Sequence, residues 1–401
     1  MRDPADDGTG NDGTGNDGKG RAMCGSCDGT GTGTQDATRI GRRRLLAAAG
    51  GAGLALGLAG GGFGTPAASA APREGKAAGA GLELVLLGTQ AGPPPRPDRA
   101  GISTALVVDG RIYLVDCGRA SVTQFVRAGL AFDKIRAIFL THLHIDHVAD
   151  YYDYFVLGGN DPHGPLGAAG PVDVYGPGPA GGLPPASGGG PAPVICPSDP
   201  TPGTRAMTEN CHRAHAYSSN VFLRDAGSPD VTTLMNVHEI AVPASAGASY
   251  RRTAPTMRPF PVMSDEKVRV SAVLVPHGPV FPSFAFRFDT AYGSVTFSGD
   301  TTYTDNLPAL AQDTDILVHE AINVQGAPMP PALRDHLLQS HVEVQKLGPV
   351  AERSGAKKLV LSHIADMAAP RIDTGRWEAW ARNGYRGPVV VGEDLQRIAL
   401  R

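Results

Sequence analysis

Ile138-Phe139-Leu140-Thr141-His142-Leu143-His144-Ile145-Asp146-His147 is the stretch on which the reading of this chain turns. An apolar run ends, and three histidines and a carboxylate follow. Residues 138–140, β-branched and aromatic, read as a buried strand. The polar residues fall on the turn that leaves it. His142 and His144 stand two apart, so in extended chain both point to one side. Asp146 and His147 follow the turn and can reach a second position nearby. Imidazole and carboxylate ligate zinc and also suit iron or manganese. One ion can take the first pair and a second ion the other. A solvated histidine-rich loop is the plain alternative, but such groups beside an apolar strand are costly to leave unpaired.

Outward from this stretch, further elements end in groups of the same chemistry. Residues 82–87 read as an opening strand that stops at Gly88-Thr89. Residues 102–108 and 112–115 read as two strands joined by a tight Asp109-Gly110 turn. Residues 122–130 show helical spacing, with Gly129 near the end. After the histidines, residues 151–157 continue as a helix; its aromatics either line a substrate mouth or pack in a core. Residues 172–175 are the one strand reading within the Gly/Pro-rich stretch 158–203, and a helical patch follows over 205–223. Residues 268–275 alternate as a strand that ends at Pro276-His277-Gly278, and 283–288 form the next. Residues 295–297 run into Ser298-Gly299-Asp300-Thr301, and 316–318 run into His319-Glu320. Ser340-His341 opens a helix to about residue 353, and 359–362 form a last apolar strand ending in His363. The segment with Trp377, Trp380 and residues 389–391 closes the second half.

The Thr141-to-His147 motif is similar to the HxHxDH signature of metallo-β-lactamase-fold hydrolases. The resemblance covers most of the chain, from about residue 82 to residue 400. Leu87-Gly88-Thr89 and Leu114-Val115-Asp116-Cys117-Gly118 resemble that family's early motifs. Ser298-Gly299-Asp300-Thr301 matches the ribonuclease Z-like and arylsulfatase-like branches, where β-lactamases proper carry a cysteine. The resemblance implies an α/β (α+β) fold, a four-layer αββα sandwich over residues 80–401, with a Gly/Pro-rich insert at about 158–250. It implies two metal positions, His142, His144 and His277 at one and Asp146, His147 and His363 at the other, with Asp300 bridging. The implied cofactors are two Zn2+, with Mn2+ or Fe admissible on the same ligands. Asp116 would support the metal loop from behind. Asp146 would orient or deprotonate the attacking water, and His341, oriented by Glu320, would protonate the leaving oxygen. Val342-Glu343 follows His341 where ribonuclease Z has Ser-Thr, a departure from that branch. A homodimer is expected from the family alone.

The expected activity is metal-assisted hydrolysis of a phosphodiester or related ester. An arylsulfatase-like or lactonase-like hydrolase is the near alternative. Two further classes differ in kind: a mononuclear-iron persulfide dioxygenase, which a metal count would separate, and a non-catalytic binding protein, against which the seven intact ligands argue. Ribonuclease Z-like enzymes carry a basic tRNA-binding arm in the insert, but residues 177–203 here hold no Lys or Arg. Phosphate binding without cations is difficult. The net charge of −3 offers no general attraction for nucleic acid either. A small-molecule or short ester substrate is therefore expected, and nucleic acid is not.

The first 40 residues are Gly/Asn/Asp/Thr repeats that cannot bury a core, and disorder is expected there. Cys24 and Cys27 form a lone CxxC within them and are read as incidental. Residues 41–71 carry Arg42-Arg43-Arg44-Leu45-Leu46, a mild apolar run and Ala68-Ser69-Ala70, the layout of a twin-arginine-type signal peptide with cleavage near Ala70 or Ala71. The expected location is secreted, cell-surface or periplasmic, with no stable membrane anchor after cleavage. Cys117 reads as a buried thiol. Cys196 and Cys211 flank a loop and are candidates for a disulfide outside the cell.

Overall fold

Leu82, Leu84 and Leu86 point to one side of the opening strand, Val85 and Leu87 to the other, and both sets are buried. A strand covered on both faces belongs to an inner layer. The computed structural model describes residues 81–186 and 190–400. The low-complexity residues 1–40, the segment 41–71 read as a signal peptide, and Cys24 and Cys27 lie outside the described residues.

The strands in chain order are β1 (Leu82–Gly88), β2 (Ser103–Val108), β3 (Arg111–Val115), β4 (Ile135–Phe139), β5 (Val172–Pro177), β6 (Met235–Ile240) and β7 (Phe260–Ser264). They continue as β8 (Val268–Leu274), β9 (Phe284–Thr290), β10 (Gly293–Phe297), β11 (Ile316–Asn323), β12 (Leu359–Asp366), β13 (Val389–Val391) and β14 (Gln396–Leu400). They form two seven-stranded sheets, ordered β14-β1-β2-β3-β4-β5-β6 and β13-β12-β11-β10-β9-β8-β7. Asp109 and Gly110 have φ of 48° and 80°, the left-handed pair that a two-residue hairpin requires. Phe139 of the first sheet meets Phe286 and Phe288 of the second edge-on, at 5.6 and 5.0 Å. Those rings belong to the apolar layer between the sheets.

Helices cover both outer faces. α1 (Ser121–Arg127), α2 (Ile145–Val148), α3 (Tyr151–Gly158) and α4 (Thr204–Asp225) follow strands of the first sheet, and α5 (Asn306–Leu310), α6 (Pro331–Ser340), α7 (Leu347–Arg353) and α8 (Thr374–Arg382) belong to the second. Phe125, Phe132, Tyr154 and Phe155 pack on the first sheet, and Leu347, Val350 and Trp377 on the second. This is the expected four-layer sandwich.

Of the two readings of the 151–157 aromatics, core packing holds: Tyr151, Tyr152, Tyr154 and Phe155 are buried. Other local expectations change. Residues 158–250 are more than an insert, because they supply β5 and β6, which extend the first sheet in parallel. Ser340-His341 ends a helix where a helix start was expected. Pro331 sits at the N-terminus of α6 and presets its first turn, while His341 has extended backbone (φ −140°, ψ 163°). Trp377 and residues 389–391 close the second half as expected, with β13 beside β12, and a further strand, β14, pairs with β1 in the first sheet. Cys117 is buried as expected, and Cys196 and Cys211 are free thiols.

Candidate metal centre

The carboxyl ends of β4, β8 and β10 point to one rim of the sandwich, where α/β sheets commonly place their ligands. β4 gives way to Leu140 and Thr141, and the chain is pinned there from both sheets. Leu140 N donates to the Tyr175 carbonyl at 2.8 Å, and Phe284 N donates to the Thr141 carbonyl at 2.9 Å. His142, His144, Asp146 and His147 follow. β8 delivers His277, and β10 delivers Asp300 through Ser298-Gly299. Gly299 has φ 58°, and a Cβ there would lie 2.3 Å from the Phe284 carbonyl oxygen, so glycine is required.

His363 was expected at a strand end but lies inside β12. Leu361 pairs with His319 and Ile364 with Ala321, so Ser362 and His363 together oppose Glu320 alone. This bulge carries His363 at φ 57°. Bulges commonly re-aim a side chain near a functional site.

All seven residues named as ligands converge. Donor atoms of His142, His144 and His277 lie within 4.8 Å of one another, as do those of Asp146, His147 and His363. Asp300 stands between the two groups. Its Oδ2 is 3.3 Å from His147 Nε2, 3.7 Å from His277 Nε2 and 3.9 Å from His142 Nε2, and its Oδ1 is 3.3 Å from His363 Nδ1. Asp146 Oδ2 lies 3.4 Å from His363 Nε2.

The donor chemistry fits divalent cations. His142 Nε2, His147 Nε2, His363 Nδ1, Asp146 Oδ1 and Asp300 Oδ1 are buried without any hydrogen-bond partner. Buried polar atoms are rarely left so. The remaining ring nitrogens are held from behind. His147 Nδ1 donates to Asp116 at 2.9 Å, and His277 Nδ1 donates to the Ser340 carbonyl at 2.9 Å. That arrangement fixes the ring and turns Nε2 towards the centre. Asp116 also accepts from Thr141 N at 2.8 Å and Thr141 Oγ1 at 2.9 Å.

Electrostatics favour bare lone pairs. Burial holds His142 well below the ordinary histidine range, with His147 adding to the shift, and burial pushes His277 down to about 3. Burial opposes ionisation of Asp300, but His363 and His147 hold its carboxyl well below the usual range. Burial would also push His147 down, yet Asp300 and Asp116 raise it well above its ordinary value. A cation on these atoms would take the place of that proton.

The predicted acid pair is also assembled. His341 Nδ1 lies 3.3 Å from Glu320 Oε2, and Glu320 Oε1 accepts from Val342 N at 2.9 Å. Burial would lower His341, but Glu320 outweighs it and the imidazole rises to about 9. Its ring stands 5.0 Å from that of His277.

Sequence reading missed Gly92 N, which donates to Asp146 Oδ2 at 3.1 Å, and the Ser340 carbonyl. Both act through backbone atoms, and at Gly92 the φ of 84° favours glycine. Thr141 was quoted in the motif, but its linking role needed the fold.

A family profile described as the metallo-beta-lactamase superfamily matches residues 97–155. The chain is 31% identical over 322 residues to ribonuclease Z of Mycobacterium bovis (strain BCG / Pasteur 1173P2), covering 80% of this chain and 98% of that one. It is 30% identical over 323 residues to ribonuclease Z of Mycobacterium tuberculosis (strain ATCC 25618 / H37Rv), with the same two coverages, 80% and 98%. Among solved structures, human tRNase Z, short form, superimposes with a TM-score of 0.51 at 22% identity, over 80% of this chain and 99% of that one.

Proposed function

The chain belongs to the ribonuclease Z family of the metallo-beta-lactamase superfamily and is a metal-dependent hydrolase of ester bonds; from that premise we propose that it works with two zinc ions on a small phosphodiester or related ester. The observation that carries the two-metal reading is the position of Asp300, with one oxygen facing His363 and the other facing His147 and His277. In this reading His142, His144 and His277 hold one ion, Asp146, His147 and His363 hold the other, and Asp300 serves both. Bound divalent cations supply Lewis acidity to an ester oxygen and to water.

The chain's own groups do the rest. Asp146, hydrogen-bonded by Gly92 N, orients the attacking water and accepts its proton. Asp116 keeps the His147 ring in one tautomer and one orientation. His341, protonated at neutral pH beside Glu320, gives a proton to the leaving oxygen. Burial of His142, Asp146, His147, His277, Asp300 and His363 strengthens these interactions.

The substrate proposal departs from the name of the ribonuclease relatives. It is supported by the absence of Lys and Arg from residues 177–203. We also propose that the mature protein is exported, on the layout of residues 41–71, and that cleavage falls near Ala70. N-terminal sequencing of the native protein tests this, and retention of residues before Ala70 would sink it.

The main test is metal content of the mature protein together with hydrolysis of an aryl phosphodiester and an aryl sulfate, repeated with Asp300→Ala. Two zinc per chain, and diester turnover lost in the variant, is the expected result. Turnover of the sulfate alone would move the substrate class. One iron and no hydrolysis would overturn the reading.

A further inference from the structure

The metal donors form one wall of a cavity of about 500 Å³. That is the size of a small-molecule site. Its other walls are largely aliphatic: Pro94, Ile145, Val280, Ile364, Met367 and Ile372 face it. Ile145 is 64% exposed and Met367 41% exposed, so apolar side chains stand in water beside the catalytic groups. Clustered exposed apolar surface in a cleft marks a place that a ligand covers.

Charge on the same walls limits what that ligand is. Three arginines, Arg96, Arg99 and Arg371, reach the cavity, along with four carboxylates, Asp98, Asp146, Asp300 and Asp366. Arg99 is spent on Thr89 Oγ1 and the Gly392 carbonyl, and Arg96 lies 4.0 Å from Asp98. A polyanion needs a track of cations, each neutralising a phosphate. Arg371 is the one cavity arginine without a carboxylate or hydrogen-bond partner among the described residues, and a single uncommitted cation suits a single charge.

We propose that the substrate is a singly charged phosphodiester with a bulky aryl or alkyl group, and that this group lies against Met367, Ile372 and Ile145. The assignment rests on the reading of the centre as an ester hydrolase. In the reaction the P–O bond to the leaving aryl oxygen breaks and a water oxygen takes its place on phosphorus. The proton that water loses to Asp146 balances the one that His341 gives to the leaving oxygen.

The test compares bis(4-nitrophenyl) phosphate with methyl 4-nitrophenyl phosphate, which share a leaving group and differ only in the retained group. Burying an aryl ring favours the first by about tenfold or more in kcat/KM. The double variant Met367→Ser, Ile372→Ser should lower kcat/KM for the diaryl ester more than for the methyl ester and so remove most of that preference. Equal kcat/KM for the two esters would overturn the proposal. So would a preference for a single-stranded oligonucleotide with steep salt dependence. Binding of diphenyl phosphate and dimethyl phosphate, followed by calorimetry, separates this proposal from the one beneath it. If no ester is hydrolysed but the diphenyl compound alone binds, the hydrolase reading fails and the pocket assignment stands. Binding of neither compound overturns the pocket.

Discussion

Asp116 touches no substrate-facing atom, yet it holds both His147 and the Thr141 backbone. Asp116→Asn replaces an acceptor of the imidazole N–H with a group that can also donate. Metal affinity should fall by about 10- to 100-fold, as measured by competition with a chromogenic chelator. An unchanged affinity would remove Asp116 from the centre. His341→Ala should lower kcat by about 100-fold or more for an ester with a poor leaving group and much less for a 4-nitrophenyl ester, with metal content intact. Glu320→Gln should follow the same split more weakly. Equal losses on both esters would exclude the proton-donor role. At this scale the sequence was most legible where donors are contiguous, as in His142 to His147. Isolated residues such as His277 and His363 could be placed only by resemblance, because a lone histidine after an apolar run has many structural uses. The Ser340 carbonyl and Gly92 N carry no side-chain signal at all.

Elements bring these residues together through two pieces of unusual backbone. The Ser362-His363 bulge was invisible in the apolar run 359–361, because a bulge changes register without changing pattern. The turn before Asp300 was visible as Ser298-Gly299. Gly299→Ala should cost about 1–3 kcal/mol through its φ of 58° and the contact with Phe284, read as a lowered midpoint in urea. A midpoint equal to the parent's would show that the turn relaxes. The helix boundary at Ser340 was misplaced because the Pro330-Pro331 start signal was passed over in favour of the histidine. A second device ties turns of the two sheets. Asp109, in the β2–β3 turn, accepts from Lys267 Nζ at 2.8 Å and from Tyr292 Oη at 2.6 Å. These bonds hold its carboxyl down at about 2. The unfolded chain binds the proton more tightly, so this stabilisation is complete above the ordinary carboxylate pKa of 3.8 and is lost as pH falls through about 2. Asp109→Asn should therefore lower the melting temperature at pH 7 and have little effect near pH 2. A pH-independent difference would assign the loss to something other than the charge.

At the scale of the whole molecule, the sandwich was expected from the family resemblance, and inner strands with two apolar faces, such as β1 and β2, agree with it. The return of the chain to its first strand was not legible, since residues 396–400 alternate weakly and carry no mark of their partner. The cluster of bare buried donors implies that metal and fold are linked. A ligand that binds only the folded state adds about 4 kcal/mol at a thousandfold excess over its dissociation constant. Treatment with a strong chelator should lower the melting temperature by several degrees, and zinc should restore it. No change on chelation would mean that the empty site is held by protein contacts alone. The pairing of β1 with β14 has its own consequence for how the molecule is made. Leu82 pairs with Leu400, so β1 leaves the ribosome well before its partner β14. Until then the first sheet presents an open edge, and nascent chain of this kind is exposed to aggregation and to chaperones. Closure of the first sheet therefore comes only after residues 396–400 have been made.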